Sequence, residues 1–192
     1  MTRTVADAFS SAGNNIDRLQ LNPQYRYLRV TVNQKSALLV LGYTEEHQEG
    51  QIEIWYSDSG QVLRLQNGRV LGTLGLETDW LNVNYNPLPT WQEIAQHSPI
   101  SYQRKHDQMP GYRYGILESL SISPIPAPAK SEIVSIPGKE LRWYEEVNSS
   151  HPDLSLLSRF AVLEKDGEFK VMYGDQCLSP RFCLAWQVWP AK

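Results

Sequence analysis

The chain predicts a mainly β fold: a single-domain antiparallel β-barrel or barrel-like sandwich carrying one or two short helices. Three observations lead there. Twelve glycines and twelve prolines are interleaved with ten Tyr, six Trp and four Phe, the mix expected of many short turns between half-buried pleated segments. Leu28, Val30 and Val32 alternate with Arg29, Thr31 and Asn33, the period of two that a strand with one wet face requires. Turn signals then recur closely enough for roughly nine or ten short strands, and closing these into a barrel removes the exposed edges of an open sheet. A length of 192 residues suits one compact domain. Residues 1–23 read as an N-terminal helix and linker and 24–192 as the β domain, with any subdivision at the Pro-rich connector 124–128.

Val5, Ala8, Phe9 and Ala12 have helical spacing, and Gly13-Asn14-Asn15 ends that segment. After the strand from Tyr25, the apolar run Ala37–Leu41 fits a strand covered on both faces. Three strands follow as a meander. The first covers Gln51–Tyr56, Asp58-Ser59-Gly60 turns it into Val62–Leu65, and Asn67-Gly68 turns that into Arg69–Leu71. Asn-Gly is the strongest short hairpin signal, because a type I′ turn needs positive φ at both central positions. Trp80–Tyr85 alternates next, with Leu81, Val83 and Tyr85 on one face and Trp80 on the other. Thr90 and Glu93 form a capping box ahead of a helix of about two turns. Tyr112–Ser123 is a long strand that leads into Pro124, Pro126 and Pro128, positions unable to donate hydrogen bonds. Further strands are expected at 133–136, 141–147, 160–163, 169–173 and 184–189, with a hairpin at Lys165-Asp166-Gly167 and a short helix at 151–158.

Charge and cysteine usage narrow the function classes. Eighteen Lys and Arg against 21 Asp and Glu give a net charge of −3, so no global basic field exists to hold nucleic acid. No apolar run approaches the length of a membrane span, and nothing near Met1 has an apolar signal-peptide core. Cys177 and Cys183 fit neither a redox CxxC nor a zinc site. The Ser179-Pro180 turn brings them within reach of a disulfide, and the alternative is a pair of reduced thiols. The four histidines lack metal-ligand spacing, so neither metal nor cofactor is expected. Adjacent carboxylates such as Glu45-Glu46 and Glu145-Glu146 point to opposite faces of a strand and cannot flank one glycosidic bond. No catalytic residue is assigned.

The densest chemistry lies between Tyr102 and Tyr114, where Arg104, Lys105 and Arg113 crowd with Tyr102, Tyr112 and Tyr114 around a Pro-Gly turn. Arginine forks match a uronate carboxylate, and aromatic rings offer flat faces to a sugar. Arg104, Tyr112 and Arg113 are therefore candidate ligand-binding residues, joined by Trp55 and Trp80 from the polar side of their strand patterns. The competing reading is a loop whose stems cover one end of the barrel.

Tyr27-Leu28-Arg29, Ala37–Tyr43, Trp55 and Gln66-Asn67-Gly68-Arg69 followed by Gly75-Leu76 resemble, in order and spacing, the YjbF family of group 4 capsule polysaccharide lipoproteins. The resemblance extends more loosely to Arg104–Tyr112 and Gln176–Pro190. It implies a mainly β, barrel-like envelope protein of Gram-negative bacteria, acylated on a cysteine and held in the periplasm at the outer membrane. No cysteine precedes Thr2, so the acylated residue is expected in a longer precursor. The expected role is a non-enzymatic accessory of capsule or exopolysaccharide production or export, binding either the polysaccharide or a protein of the export machinery. The alternative is a glycan-modifying enzyme of the hydrolase or esterase type.

Overall fold

The computed structural model describes residues 16, 19–136, 140–150 and 157–190; the helix expected at Val5–Ala12 and most of that at 151–158 lie outside them. Twelve strands form one antiparallel sheet: β1 (Tyr27–Val32), β2 (Lys35–Glu45), β3 (Ile52–Ser57), β4 (Val62–Gln66), β5 (Arg69–Leu74), β6 (Asp79–Asn86), β7 (Ile100–Met109), β8 (Arg113–Ile125), β9 (Arg142–Asn148), β10 (Ser158–Lys165), β11 (Glu168–Ser179) and β12 (Phe182–Trp189). The spatial order runs β5-β4-β3-β2-β1-β12-β11-β10-β9-β8-β7-β6, so strands from both sides of 124–128 belong to the same sheet. Side chains complete the ring between the end strands β5 and β6. Trp80 N–H donates to Thr73 Oγ1 at 3.0 Å, and the Asp79 carboxylate accepts from Gly75 and Leu76 N–H at 2.9 and 3.1 Å. The result is a nearly closed barrel.

Turn chemistry sets the hairpins. Asn67 and Gly68 have φ of 48° and 78°, and Asp166 and Gly167 have 54° and 81°, the left-handed pair that matches strand twist in two-residue hairpins. Thr90 Oγ1 accepts from Glu93 N–H while the Glu93 carboxylate accepts from Thr90 N–H at 2.8 Å, capping helix α1 (Trp91–His97) as its sequence predicts. Those bonds, the Thr90 backbone donor first, hold the Glu93 carboxyl below its ordinary range.

Every strand and α1 contribute to one interior cluster, from Leu28, Val30 and Val32 on β1 through Trp55, Trp80, Tyr144 and Phe160 to Phe182, Leu184 and Trp186 on β12. Among the described residues the barrel interior is thus filled by side chains. Several sequence expectations change here. Trp55 and Trp80 are each 1% exposed, not surface rings. Trp80 turns inward together with Val83 and Tyr85 because a bulge between Leu81 and Asn84, with Asn82 at φ 51°, resets the alternation of β6. The stretch 100–109 is a strand, β7, not a loop. Residues 133–136 are not a strand. They belong to a strap between β8 and β9 that crosses the outer face of the barrel. There Val134 N–H donates to Gln187 Oε1 at 2.8 Å and Gln187 Nε2 donates back to the Val134 carbonyl at 2.7 Å. Ile133 and Ile136 pack on a second cluster of Leu141, Trp143, Ala161, Met172, Tyr173 and Ala185, so this part of the sheet is covered on both faces.

Cys177 and Cys183 sit opposite each other on β11 and β12 and are joined by a disulfide, with Cα atoms 3.9 Å apart. In the chain-entropy account a loop this small stabilises by about 2 kcal/mol. The double substitution Cys177→Ala/Cys183→Ala is expected to lower stability by that amount in chemical denaturation. A loss well below 1 kcal/mol would show that the hairpin is already constrained without its bond.

Candidate functional site

Alternation in β7 turns Tyr102, Arg104 and His106 inward and leaves Gln103 and Lys105 outside. Arg104, 2% exposed, is opposite Glu118 on β8 and donates through Nε to Glu118 Oε2 at 2.6 Å and through Nη1 to Glu146 Oε1 at 3.2 Å. Its guanidinium also lies 4.2 Å from the centroid of Trp80. Asn148 Nδ2 donates to Glu118 Oε1 at 2.7 Å, and the Tyr102 hydroxyl donates to Glu146 Oε2. Burial alone would drive the Arg104 pKa down, but Glu146, Tyr85 and Glu118 more than offset it and hold the guanidinium above its ordinary range. Tyr102 is raised, first by burial and then by Glu146, so it acts as a neutral donor. The His106 ring lies tilted against Trp80, with centroids 4.5 Å apart and planes 36° from parallel. Its Nδ1 lies 3.4 Å from Glu118 Oε2 but outside hydrogen-bond geometry. Desolvation pushes His106 down to about 4 against the opposing pull of Glu118.

Arg69 shares this interior with 0% exposure. Its guanidinium lies 4.4 Å from the Trp91 centroid and 5.7 Å from that of Phe160, and Nε is 4.0 Å from Glu146 Oε2. None of its nitrogens has a hydrogen-bond partner among the described residues. Desolvated cation–π contacts, worth about 2 kcal/mol, and the nearby Glu146 carboxylate hold it.

A recess of about 200 Å3 opens at the end of the barrel where α1 sits. Its aromatic surface comes from Trp91 on α1, Phe169 on β11 and Trp186 on β12, with Leu28 and Val188 alongside. Its polar rim comes from Arg26 and Glu53, which form an ion pair, and from Gln51, Asn67 and Lys170. Trp91 is fixed by donation from its Nε1 to the Asn67 carbonyl at 2.9 Å. The Asn67-Gly68 turn reaches across to the β10–β11 hairpin, where a Cβ on Gly68 would come within 2.7 Å of Val171. Glycine therefore serves both the turn and this close approach.

The structure does not bring the five sequence candidates together. Trp55, Trp80 and Arg104 are packed in the interior, whereas Tyr112, 75% exposed, and the exposed Arg113 stand at the β7–β8 tip, at the end opposite the recess. The recess residues escaped sequence reasoning because they come from six separated segments. Trp91 and Asn67 carried only capping and turn signals. Among the described residues, no group of three or more His, Cys, Asp and Glu side chains converges as a metal site. No helix among them is long and apolar enough to cross a membrane.

A nearly closed, side-chain-filled barrel with a small aromatic and polar recess at one end defines the class as a β-barrel protein. Residues 12–184 match the family model described as group 4 capsule polysaccharide lipoprotein gfcB, YjbF, and the chain belongs to that family. The family is one of lipoproteins, which places it in the cell envelope. Among solved structures, the chain is similar to the hypothetical lipoprotein YmcC from Escherichia coli (K12). The two are 20% identical, the match covers 100% of both chains, and the TM-score is 0.64, which indicates a shared fold. Comparison with curated proteins returns no match.

Proposed function

We propose that the protein is a non-enzymatic periplasmic accessory of capsule or exopolysaccharide production or export. On this reading the full-length protein is held at the outer membrane by a lipid anchor and works by binding, with the polysaccharide as the favoured partner over an export-machinery protein. The observation that carries the reading is the recess. Phe169, half-buried, offers an apolar face to the C–H face of a sugar above a floor formed by the edges of the buried Trp91 and Trp186, and the polar rim offers partners to hydroxyls. Glycoside hydrolysis needs two carboxyl groups flanking the scissile bond. The recess has Glu53 alone, tied to Arg26, and the interior carboxylates Glu118 and Glu146 are sealed in ion pairs, so the arrangement favours holding a glycan over cleaving it.

Calorimetric titration with oligosaccharides prepared from the producing cell's own exopolysaccharide tests this. Binding is expected, with Phe169→Ala weakening it about tenfold, the equivalent of about 1.4 kcal/mol. Polymer that is shortened or deacylated during incubation would favour the enzyme instead. Binding unaffected by Phe169→Ala would remove the recess from the account.

A further inference from the structure

Among the described residues the ring of twelve strands is laddered everywhere except between β5 and β6. Side-chain bonds hold β5 and its turn in place along that line. Trp80 N–H donates to Thr73 Oγ1 at 3.0 Å, the Tyr85 hydroxyl donates to the Val70 carbonyl at 2.9 Å, Gln176 Oε1 accepts from Val70 N–H at 3.0 Å, and Trp91 Nε1 donates to the Asn67 carbonyl at 2.9 Å. The two strands run close at one end, where a Cβ on Gly72 would come within 3.4 Å of the Trp80 carbonyl, and are spanned by a whole tyrosine side chain at the other. Parting laddered strands breaks a continuous row of backbone bonds. Parting β5 from β6 releases these side-chain bonds and leaves the β4–β5 and β6–β7 ladders whole. The Asp79 bonds to Gly75 and Leu76 lie within the connecting turn and act as its hinge.

The ionic interior lies to one side of that line. Tyr102, Arg104, Glu118, Glu146 and Asn148 all belong to β7, β8 and β9, so their mutual bonds survive the separation of β5 from β6. Arg69, the one charged residue of β5, crosses the line with ring contacts to Trp91, Tyr102 and Phe160 and a 4.0 Å approach to Glu146. It makes no hydrogen bond to a described residue, so moving it breaks none, and hydration of the exposed charge offsets the stacking it leaves. We infer that the β5–β6 line is a lateral gate: β5 parts from β6 about the turn at 75–79 and admits water to the ionic interior while every ladder stays paired. The open form is a minor, locally unfolded state of the native barrel.

Native-state hydrogen exchange followed by NMR reads the gate. The Val70 and Trp80 amides are buried and bonded along the line, and the Trp80 indole N–H, bonded to the Leu178 carbonyl, reports water inside the barrel. The references are the Val30 and Trp186 amides, which sit in the middle of the sheet with a paired strand on each side. The three gate protons are expected to exchange at least tenfold faster than the references. Thr73→Val removes the acceptor of the Trp80 amide and should also speed Val70 about fivefold, the effect of one hydrogen bond. Tyr85→Phe removes the donor to Val70 and should speed the Trp80 amide likewise. Ser36→Ala, which breaks the Thr31–Ser36 bond between β1 and β2, should leave all three unchanged relative to the references. Gate protons of the wild type that exchange as slowly as Val30 and Trp186 would overturn the inference without recourse to any variant. So would Thr73→Val speeding the Trp80 amide alone, which is fraying at one bond, or speeding the references equally, which is global unfolding.

Discussion

Replacing Arg104 with alanine is expected to destabilise the fold by about 3–5 kcal/mol, the range seen when one partner of a buried ion pair is removed. The reason lies in where β7 places the residue. Arg104 bridges Glu118 and Glu146, themselves nearly inaccessible on β8 and β9, so its loss leaves two buried carboxylates short of their main counter-charge. It also leaves a void against Trp80, whose ring it covers. Chemical denaturation of Arg104→Ala measures the effect, and the triple variant Arg104→Met/Glu118→Gln/Glu146→Gln separates its causes. Because removing a buried network whole is often far less costly than breaking it, the triple variant should recover much of the loss. A cost below about 1 kcal/mol for Arg104→Ala would mean that water reaches the cluster and that the barrel interior is not sealed.

Acid is expected to weaken the fold through His106 in a defined window. Its pKa falls from the ordinary 6.5 to about 4 in the folded chain, chiefly by desolvation. Above pH 6.5 the ring is neutral in both states and contributes no pH dependence. As the pH falls below 6.5 the unfolded chain takes up a proton that the folded chain resists, so stability is lost progressively down to about pH 4. At 1.36 kcal/mol per unit the full loss is about 3 kcal/mol. Denaturation at pH 7, 5.5 and 4, compared between wild type and His106→Gln, isolates this part from the background titration of carboxyl groups. The wild type should lose more stability than the variant across that window, and a ring NMR titration should show a midpoint near 4. Parallel curves for the two proteins, or a midpoint near 6.5, would contradict the burial argument.

These expectations concern residues whose roles changed between sequence and structure. Arg104 reads in the sequence as part of a basic and aromatic stretch, a ligand-binding segment or a loop covering the barrel end, because its charges and tyrosines crowd around a Pro-Gly turn. Here the wet-looking face of β7 points inward, and the charges are tolerated because Glu118, Glu146, Asn148 and Tyr102 converge on them from three strands. Trp80 was misplaced for a different reason: one bulged position on β6 reverses which residues face the core, and neither Gly nor Pro marks it. Ile133 and Ile136 had the composition of a strand, but their apolar side chains are buried by lying across the sheet instead of joining it.

What was legible from the residues alone is what short-range physics decides. The positive-φ turns at Asn67-Gly68 and Asp166-Gly167, the Thr90–Glu93 cap, the inward face of β1 and the predominance of strands all depend on backbone energetics within a few residues. The recess, the ionic interior and the strap were settled only by the tertiary structure. Each gathers side chains from strands far apart in the chain, and whether a charge is buried or solvated depends on partners that no local pattern encodes.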